Sequence, residues 1–391
     1  PLAPLFNPDG SLTFSAAYTV GDFVYGKNGI DQERGILRNR AGFTTEFFNN
    51  TFRIKGDATY QVTEVEEKRR QVPVPYSNKP GVISYVGTTT NDLREVRQKT
   101  QYLATNIYGE YENTFKSDHY FKALLGYNYE QSTYRSVSAQ RNGLIFDNAT
   151  DLNLALGSSI STSGGFEEWA ILGGFGRLNY AFKNRYLLEV NGRYDGSSKF
   201  PSNQRYGFFP SVSAGWRISR EAFWHVSPTF ITELKIRASY GSLGNGSVPS
   251  YSFQEQFGVS QSGLILNGVR PQQTSRPSVL PQGLTWETST TTNLGLDFRL
   301  FSNRLQFTGD LYERKTTDMF TIGMTLPAVF GATPPRGNYA DLETKGWEVS
   351  LTWRDNFGVG GKPFNYDLRL TLADNTAVIT KYNNPEKRLS D

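Results

Sequence analysis

Phe52-Arg53-Ile54-Lys55-Gly56-Asp57-Ala58-Thr59-Tyr60-Gln61-Val62 puts apolar or small residues on even positions and polar ones on odd positions. Successive side chains of a strand point to opposite faces, so this period of two predicts a strand with one oily and one wet face. Across Asn49-Asn50 the preceding stretch repeats it, with Leu37, Ala41, Phe43, Thr45 and Phe47 on one parity and Arg38, Arg40, Thr44 and Glu46 on the other. The pattern returns at Tyr186, Leu188, Val190, Gly192 and Tyr194 against Arg185, Glu189, Asn191, Arg193 and Asp195. It recurs at Leu234 to Tyr240 against Lys235, Arg237 and Ser239, at Leu294 to Leu300 against Asn293, Asp297 and Arg299, and at Phe364 to Leu372. A coarse count gives roughly twelve strands between about residues 34 and 375.

The connections are lopsided. Short turns are expected at Asn49-Asn50, Lys116 to His119, Lys183-Asn184, Ser302-Asn303 and Phe357 to Lys362, with a longer one from Ser219 to Thr232. Polar stretches several times longer run over residues 64–99, 138–166, 242–288 and 321–341, with a shorter one at 196–204. With strands running alternately up and down, all the short turns fall at one end. Short periplasmic turns and long extracellular loops characterise outer-membrane barrels, so the rhythm predicts a transmembrane antiparallel up-and-down β-barrel segment over residues 1–391. Aromatics flank the short turns (Phe47, Phe48, Phe52; Phe115, Tyr120, Phe121; Tyr180, Phe182, Tyr186; Phe298, Phe301, Phe307; Trp353, Phe357, Phe364) and read as a periplasmic girdle. Some strands, such as Trp169 to Phe182, read as long enough to project beyond a membrane.

Composition agrees. The 391 residues contain 27 Phe, 22 Tyr, 6 Trp and 38 Gly, a mixture suited to pleated sheet. No apolar run approaches the roughly 18 residues of a membrane helix, and the mean hydropathy of −0.49 looks soluble, but barrel strands expose only alternate residues to lipid. Cysteine is absent, which removes disulfides, thiolate metal sites and cysteine nucleophiles. The net charge of +4 comes from interspersed charges with no basic patch of the nucleic-acid kind.

Little here suggests an enzyme. There are two histidines, His119 and His225, both read as surface or packing residues, and no G-x-S-x-G, P-loop or H-E-x-x-H motif. Asp147, Asn148 and Asp151 offer oxygen ligands of the calcium type but read more simply as a polar loop, and neither a metal nor another cofactor is assigned. The candidate path for a polar solute is the wet parity: Arg53, Lys55, Asp57, Glu189, Arg193, Asp195, Lys235, Arg237, Asp297 and Arg299. Each has a plainer reading as wall or packing charge. Loop aromatics Tyr76, Tyr85, Phe146, Tyr251, Phe253 and Phe257 could stack on sugar faces or pack against a partner.

The stretch Gly176-Arg177-Leu178-Asn179-Tyr180, followed by Arg185-Tyr186-Leu187-Leu188-Glu189-Val190-Asn191-Gly192-Arg193-Tyr194-Asp195-Gly196-Ser197-Ser198-Lys199-Phe200, resembles the SusC/RagA family of TonB-dependent outer-membrane transporters of Bacteroidota. Gly207-Phe208-Phe209-Pro210-Ser211, Ser213-Ala214-Gly215-Trp216-Arg217-Ile218-Ser219, Leu234 to Gly241, Arg314 to Asp318 and Lys345 to Ser350 fit as well, so the resemblance spans roughly Thr100 to Ala377. It implies part of a barrel of about 22 strands with a plug that is not in this stretch, in the outer membrane of a Gram-negative bacterium. It further implies glycan or peptide import with a SusD-like surface lipoprotein as lid, driven by TonB with ExbB and ExbD, and a dimer of transporter-lid pairs. A siderophore-type TonB receptor without a lid, a passive porin and a structural envelope component are the alternatives.

Overall fold

The odd-even polarity is realised as strands. In a computed structural model of the chain, which describes residues 4–87, 90–281, 283–323 and 326–382, twelve long strands form one sheet. They are β1 (Gly29–Phe47), β2 (Phe52–Gln71), β5 (Asp92–Phe115), β6 (His119–Asn142), β7 (Ile160–Phe182), β8 (Tyr186–Ser197), β9 (Tyr206–Arg217), β10 (Ile231–Asn245), β13 (Glu287–Leu300), β14 (Leu305–Ile322), β15 (Arg336–Val359) and β16 (Lys362–Tyr382). Each pairs with the next of these in sequence, giving the expected up-and-down order. Two hairpins sit in the connections, β3 (Val74–Lys79) with β4 (Val82–Val86), and β11 (Val259–Gln261) with β12 (Gln272–Thr274). The end strands β1 and β16 are exposed along nearly their whole length.

Contacts divide the chain into two compact units. The larger comprises Gly42–Asp57, Thr105–Glu130 and Trp169–Asp391. Its register lines residues into rows that cross seven strands, β8, β9, β10 and β13 to β16. One row reads Leu188, Ala214, Ala238, Leu294, Leu311, Trp347 and Asp374, apolar except at its last member. The next reads Glu189, Ser213, Ser239, Asn293, Tyr312, Gly346 and Asn375. Alternation along the sequence thus becomes two opposite faces of contrasting polarity, because pairing in register keeps equal parity on one side.

Turn chemistry sets the register of neighbouring strands elsewhere in the sheet. Lys116 and Ser117 (φ 50° and 59°) and Lys183 and Asn184 (φ 51° and 52°) are left-handed pairs. Left-handed backbone at both central positions is what a two-residue hairpin matched to strand twist requires. The turn anticipated over residues 357–362 is tighter: β15 runs to Val359, and Gly360 and Gly361 (φ 57° and 78°) make the reversal.

The smaller unit comprises Pro1–Ala41, Ala58–Ala104 and Gln131–Glu168. Here strand continues where polar loop was anticipated, over residues 64–71, 92–99, 138–142 and 160–166. Alternation fades in these stretches because both faces carry polar side chains, while the backbone ladder and side-chain pairs persist. Glu64 meets Lys99 at 2.9 Å, Glu66 meets Arg97 at 3.5 Å and Lys68 meets Glu95 at 3.3 Å.

A helix that the sequence reading did not anticipate, α1 (Phe14–Tyr25), also belongs to this unit. Thr13 caps it through its hydroxyl, which accepts from Ala16 N at 3.2 Å, and Gly26 closes it in left-handed backbone with φ 66°. Its inner face is small: Ala16 and Ala17 are buried with Leu12 and Val74. Gly21 is required there, since a Cβ would lie 2.9 Å from Val74 Cγ1. Its larger residues Tyr18 and Phe23 face outward, which is why no core-facing apolar stripe marked it.

Candidate functional site: a polar wall of tied charges

The polar face of the larger unit carries charge in interlocked groups. At its centre is the row Leu187, Gly215, Arg237, Gly295, Asp310 and Glu348, in which Arg237 stands between two glycines. The Arg237 guanidinium reaches over Gly295 to Asp310 Oδ2 at 3.0 Å, while its Nε lies 2.9 Å from Asp297 Oδ2. A Cβ on Gly295 would come within 2.6 Å of Arg237 Cζ and 2.7 Å of Asp310 Oδ1. Glycine here is the notch through which an arginine of β10 ties β13 and β14 together. Lys235 joins the group through Asp297 Oδ2 at 3.6 Å.

A second group joins β2, β5 and β6. Glu110, whose side chain is 7% exposed, meets Arg53 Nη1 at 2.6 Å, Lys122 Nζ at 3.1 Å and Lys55 Nζ at 3.4 Å. Glu112 takes Arg53 at 3.2 Å and Lys122 at 3.3 Å, and accepts from the Tyr120 hydroxyl at 3.1 Å. Tyr120 therefore belongs to the polar wall and not to the aromatic girdle in which it was placed, because it shares the parity of Lys122.

Of the ten polar candidates, the structure brings Lys235, Arg237 and Asp297 into one group and Arg53 and Lys55 into another. Arg299 goes elsewhere: it meets Glu233 at 3.5 Å, which also takes Arg217 at 2.8 Å. Asp57 accepts from Asn106 at 3.3 Å. Arg193 grips Asp195 with two nitrogens, at 2.8 Å and 3.0 Å, while its guanidinium lies 5.3 Å from the Phe175 ring centre. Glu189 accepts from the amides of Asn179 and Asn191. Sequence reasoning missed Glu110, Glu112, Lys122, Glu233 and Asp310; the signal was available, since each lies on the wet parity of its own strand.

Between the groups lies a concavity of about 440 Å³ lined by Asn179, Glu189, Ser213, Lys235, Ser239 and Asn293 among others. Asn293 Oδ1 and Asp310 Oδ1 are buried and accept no hydrogen bond. The wall therefore offers amides, hydroxyls and neutralised ions, which suits many weak hydrogen bonds to a polar solute and no covalent chemistry.

The loop aromatics divide. Tyr76 packs edge-on against Phe14 of α1 at 5.2 Å, and Phe253 packs against the buried cluster of Phe200, Phe209, Val248, Leu284 and Trp286. Tyr251 is half-buried in left-handed backbone with φ 65°. Tyr85, Phe146 and Phe257 are exposed. Asp147 accepts from the Tyr25 hydroxyl at 2.6 Å, and Asp151 caps a short helical turn by accepting from Asn153 N at 2.8 Å. The Asp147 bond, aided by burial, pushes the Tyr25 phenol up to about 12.

On the opposite face, rings beside the short turns meet as chains. His119 Nδ1 lies 2.8 Å from the Tyr180 hydroxyl, and its ring centre is 4.8 Å from Phe182. Phe182, Tyr186 and Trp216 follow at 6.3 Å and 6.5 Å. Glu221, just after β9, accepts from Trp216 Nε1 at 2.9 Å and from Arg185 at 3.2 Å, fixing the turn to those rings.

Comparison with known proteins gives this geometry a context. Residues 3–391 match the family model described as TonB dependent receptor-like, beta-barrel. A TonB-dependent receptor of Formosa agariphila is 31% identical over 399 residues, covering 96% of this chain and 37% of that protein. The TonB-dependent receptor SusC of Bacteroides thetaiotaomicron is 33% identical over 215 residues, covering 53% of this chain and 20% of its own length. The structure of the RagAB peptide importer in its open-open state superposes with a TM-score of 0.79 at 23% identity, over 97% of this chain and 40% of that one. This chain thus spans little more than a third of the Formosa receptor's length, and it belongs to the TonB-dependent receptor-like β-barrel family.

Proposed function

We propose that this chain forms part of the wall of a TonB-driven importer in the outer membrane of a Gram-negative bacterium. Its cargo is an oligosaccharide or an oligopeptide, taken up with a SusD-like surface lipoprotein as lid. The observation that carries the reading is the pair of contrasting rows, one apolar and one of amides and hydroxyls on the face that also bears the tied charges; an apolar face suits lipid and a polar one a wet path. β15 alone, with 24 residues at about 3.3 Å each and a tilt of about 45°, rises about 56 Å against an apolar band of about 25 Å. Strand length thus leaves a wall above the membrane on which a lid could rest. Arg53, Lys55, Asp57, Glu189, Arg193, Asp195, Lys235, Arg237, Asp297 and Arg299 would line the path, most of them holding its shape through their partners.

Uptake of fluorescently labelled oligosaccharides and peptides by cells with and without the gene, each with and without a protonophore, tests this. Uptake that needs both the gene and the proton-motive force supports the importer. Uptake insensitive to the protonophore, with an open conductance in planar bilayers, would replace it with a porin. A defect confined to iron-limited growth would replace it with a siderophore receptor.

A further inference from the structure

Five asparagines of the chain precede a glycine: Asn28, Asn142, Asn191, Asn245 and Asn267. Glycine has no Cβ to block its amide nitrogen, which can therefore approach the side chain before it closely. Four of these asparagines are tied. Asn28 donates to Asp22 Oδ1 at 2.6 Å and to Val72 O at 3.0 Å. Asn142 Oδ1 accepts from Ser159 N at 3.0 Å, and the adjoining Gly143 N donates to Asn91 O at 3.0 Å. Asn191, within β8, donates to Glu189 at 2.8 Å and to Ser211 Oγ at 3.2 Å, and accepts from Arg177 Nε at 2.6 Å. Asn245, at the end of β10, accepts from Ser247 N at 3.0 Å and donates to Glu287 at 3.3 Å.

Asn267 differs. It closes a hairpin over residues 256–278, held by Ser278 N to Gln256 O at 3.4 Å, by the three pairs of β11 and β12, and by Ser262 N to Pro271 O at 2.7 Å. Asn267 and Gly268, at φ 51° and 79°, are the central residues of its turn, and both are exposed. The bonds of that turn run between Leu266 and Val269, in both directions, at 2.9 Å and 3.0 Å. Among the described residues, neither the Asn267 side chain nor the Gly268 N–H has a partner. The peptide unit between them can therefore rotate without breaking the bridge. Rotation carries the turn to the related type that keeps positive φ at Asn267 and moves Gly268 to negative φ, a sign that glycine adopts freely. It also turns Gly268 N toward the Asn267 side chain.

We infer that Asn267 is a site of spontaneous deamidation, which converts the turn at Asn267-Gly268 to aspartyl and isoaspartyl forms. Base removes the Gly268 amide proton, the nitrogen bonds to Asn267 Cγ, and the Cγ–Nδ2 bond breaks to release ammonia. Water then opens the succinimide ring. Attack at Cγ gives aspartate; attack at the backbone carbonyl gives isoaspartate, whose main chain runs through Cβ and is longer by one atom. That added atom ends the match between a two-residue turn and the twist of β11 and β12. Either product places a carboxylate at a tip made of Leu264, Ile265, Leu266 and Val269, all of them exposed.

Full-length protein purified from its native membrane and aged in mildly alkaline buffer tests this, sampled by peptide mass spectrometry with fragmentation that places the amide-to-acid change. Asn267 should convert about tenfold faster than Asn28, Asn142, Asn191 or Asn245, because local opening is easiest where few bonds hold the backbone. Isoaspartyl methyltransferase should label the aged protein, and hydrogen exchange over residues 256–278 should rise with the isoaspartyl fraction. Asn267→Gln, whose longer side chain would have to close a larger ring, should abolish both changes. Conversion of Asn267 no faster than that of the four tied asparagines, or a methyltransferase label that survives Asn267→Gln, would overturn the inference. Exchange that stays constant as isoaspartate accumulates would overturn the loosening of the hairpin.

Discussion

Two sets of cross-strand ion pairs use the same side chains to different ends. In the smaller unit, Glu64–Lys99 and Glu66–Arg97 are 50–70% exposed; in the larger, Glu110 is 7% exposed and Arg237, Asp297 and Asp310 are 18–30% exposed. Exposed pairs gain little because water screens them and two long side chains must be ordered. Half-buried networks behave otherwise: removing one partner strands the remaining charges where water reaches them poorly. Pairing within strands of similar length therefore teaches little about stability until burial is known.

The comparison can be broken most severely at Glu110. Glu110→Gln leaves Lys122 with Glu112, leaves Arg53 with Glu112 and the more exposed Glu46, and takes from Lys55 its contact with Glu110; it should cost about 3 kcal/mol in reversible unfolding of the full protein in lipid vesicles. Next comes Gly295→Ala, whose Cβ would displace the Arg237 guanidinium. A loss of about 2 kcal/mol is expected from this overpacking, and a double-mutant cycle with Arg237→Met should show strong non-additivity; additive effects would mean that the notch does not matter. Glu221→Gln keeps the size but weakens the bonds to Trp216 and Arg185, and should lower the thermal midpoint modestly while shifting Trp fluorescence. Lys99→Ala, in the exposed ladder, should leave the midpoint unchanged, and added salt should not alter that.

A local effect concerns pH and the smaller unit alone. Because the Tyr25 phenol is raised in the folded state to about 12 from its ordinary 10.0, its bond to Asp147 contributes fully below pH 10 and is lost as pH rises through about 12. Tyr25→Phe should remove that dependence, read as amide exchange in α1 between those pH values.

Several features were legible because they are local. The parity of residues 52–62 and of 186–194 named strand faces, and Asn49-Asn50, Lys183-Asn184 and Ser302-Asn303 named turns that the structure places there. Strand ends were not legible in residues 64–71 and 92–99, because alternation reports unequal surroundings and fails when both faces are polar. Helix α1 was hidden for a related reason, since its buried face is made of Ala16, Ala17 and Gly21 while Tyr18 and Phe23 face solvent.

Sequence by itself determined the two-faced strands, their up-and-down order and the chemical character of the wall, because side-chain period and turn residues act over a few positions. Only the tertiary structure decided which charges meet. Arg237 reaches Asp310 because register brings Arg237, Gly295 and Asp310 into one row, and register is a relation between strands 73 residues apart. Likewise only tertiary packing separated Phe253, held by the Trp286 cluster, from Phe257, left exposed four positions later.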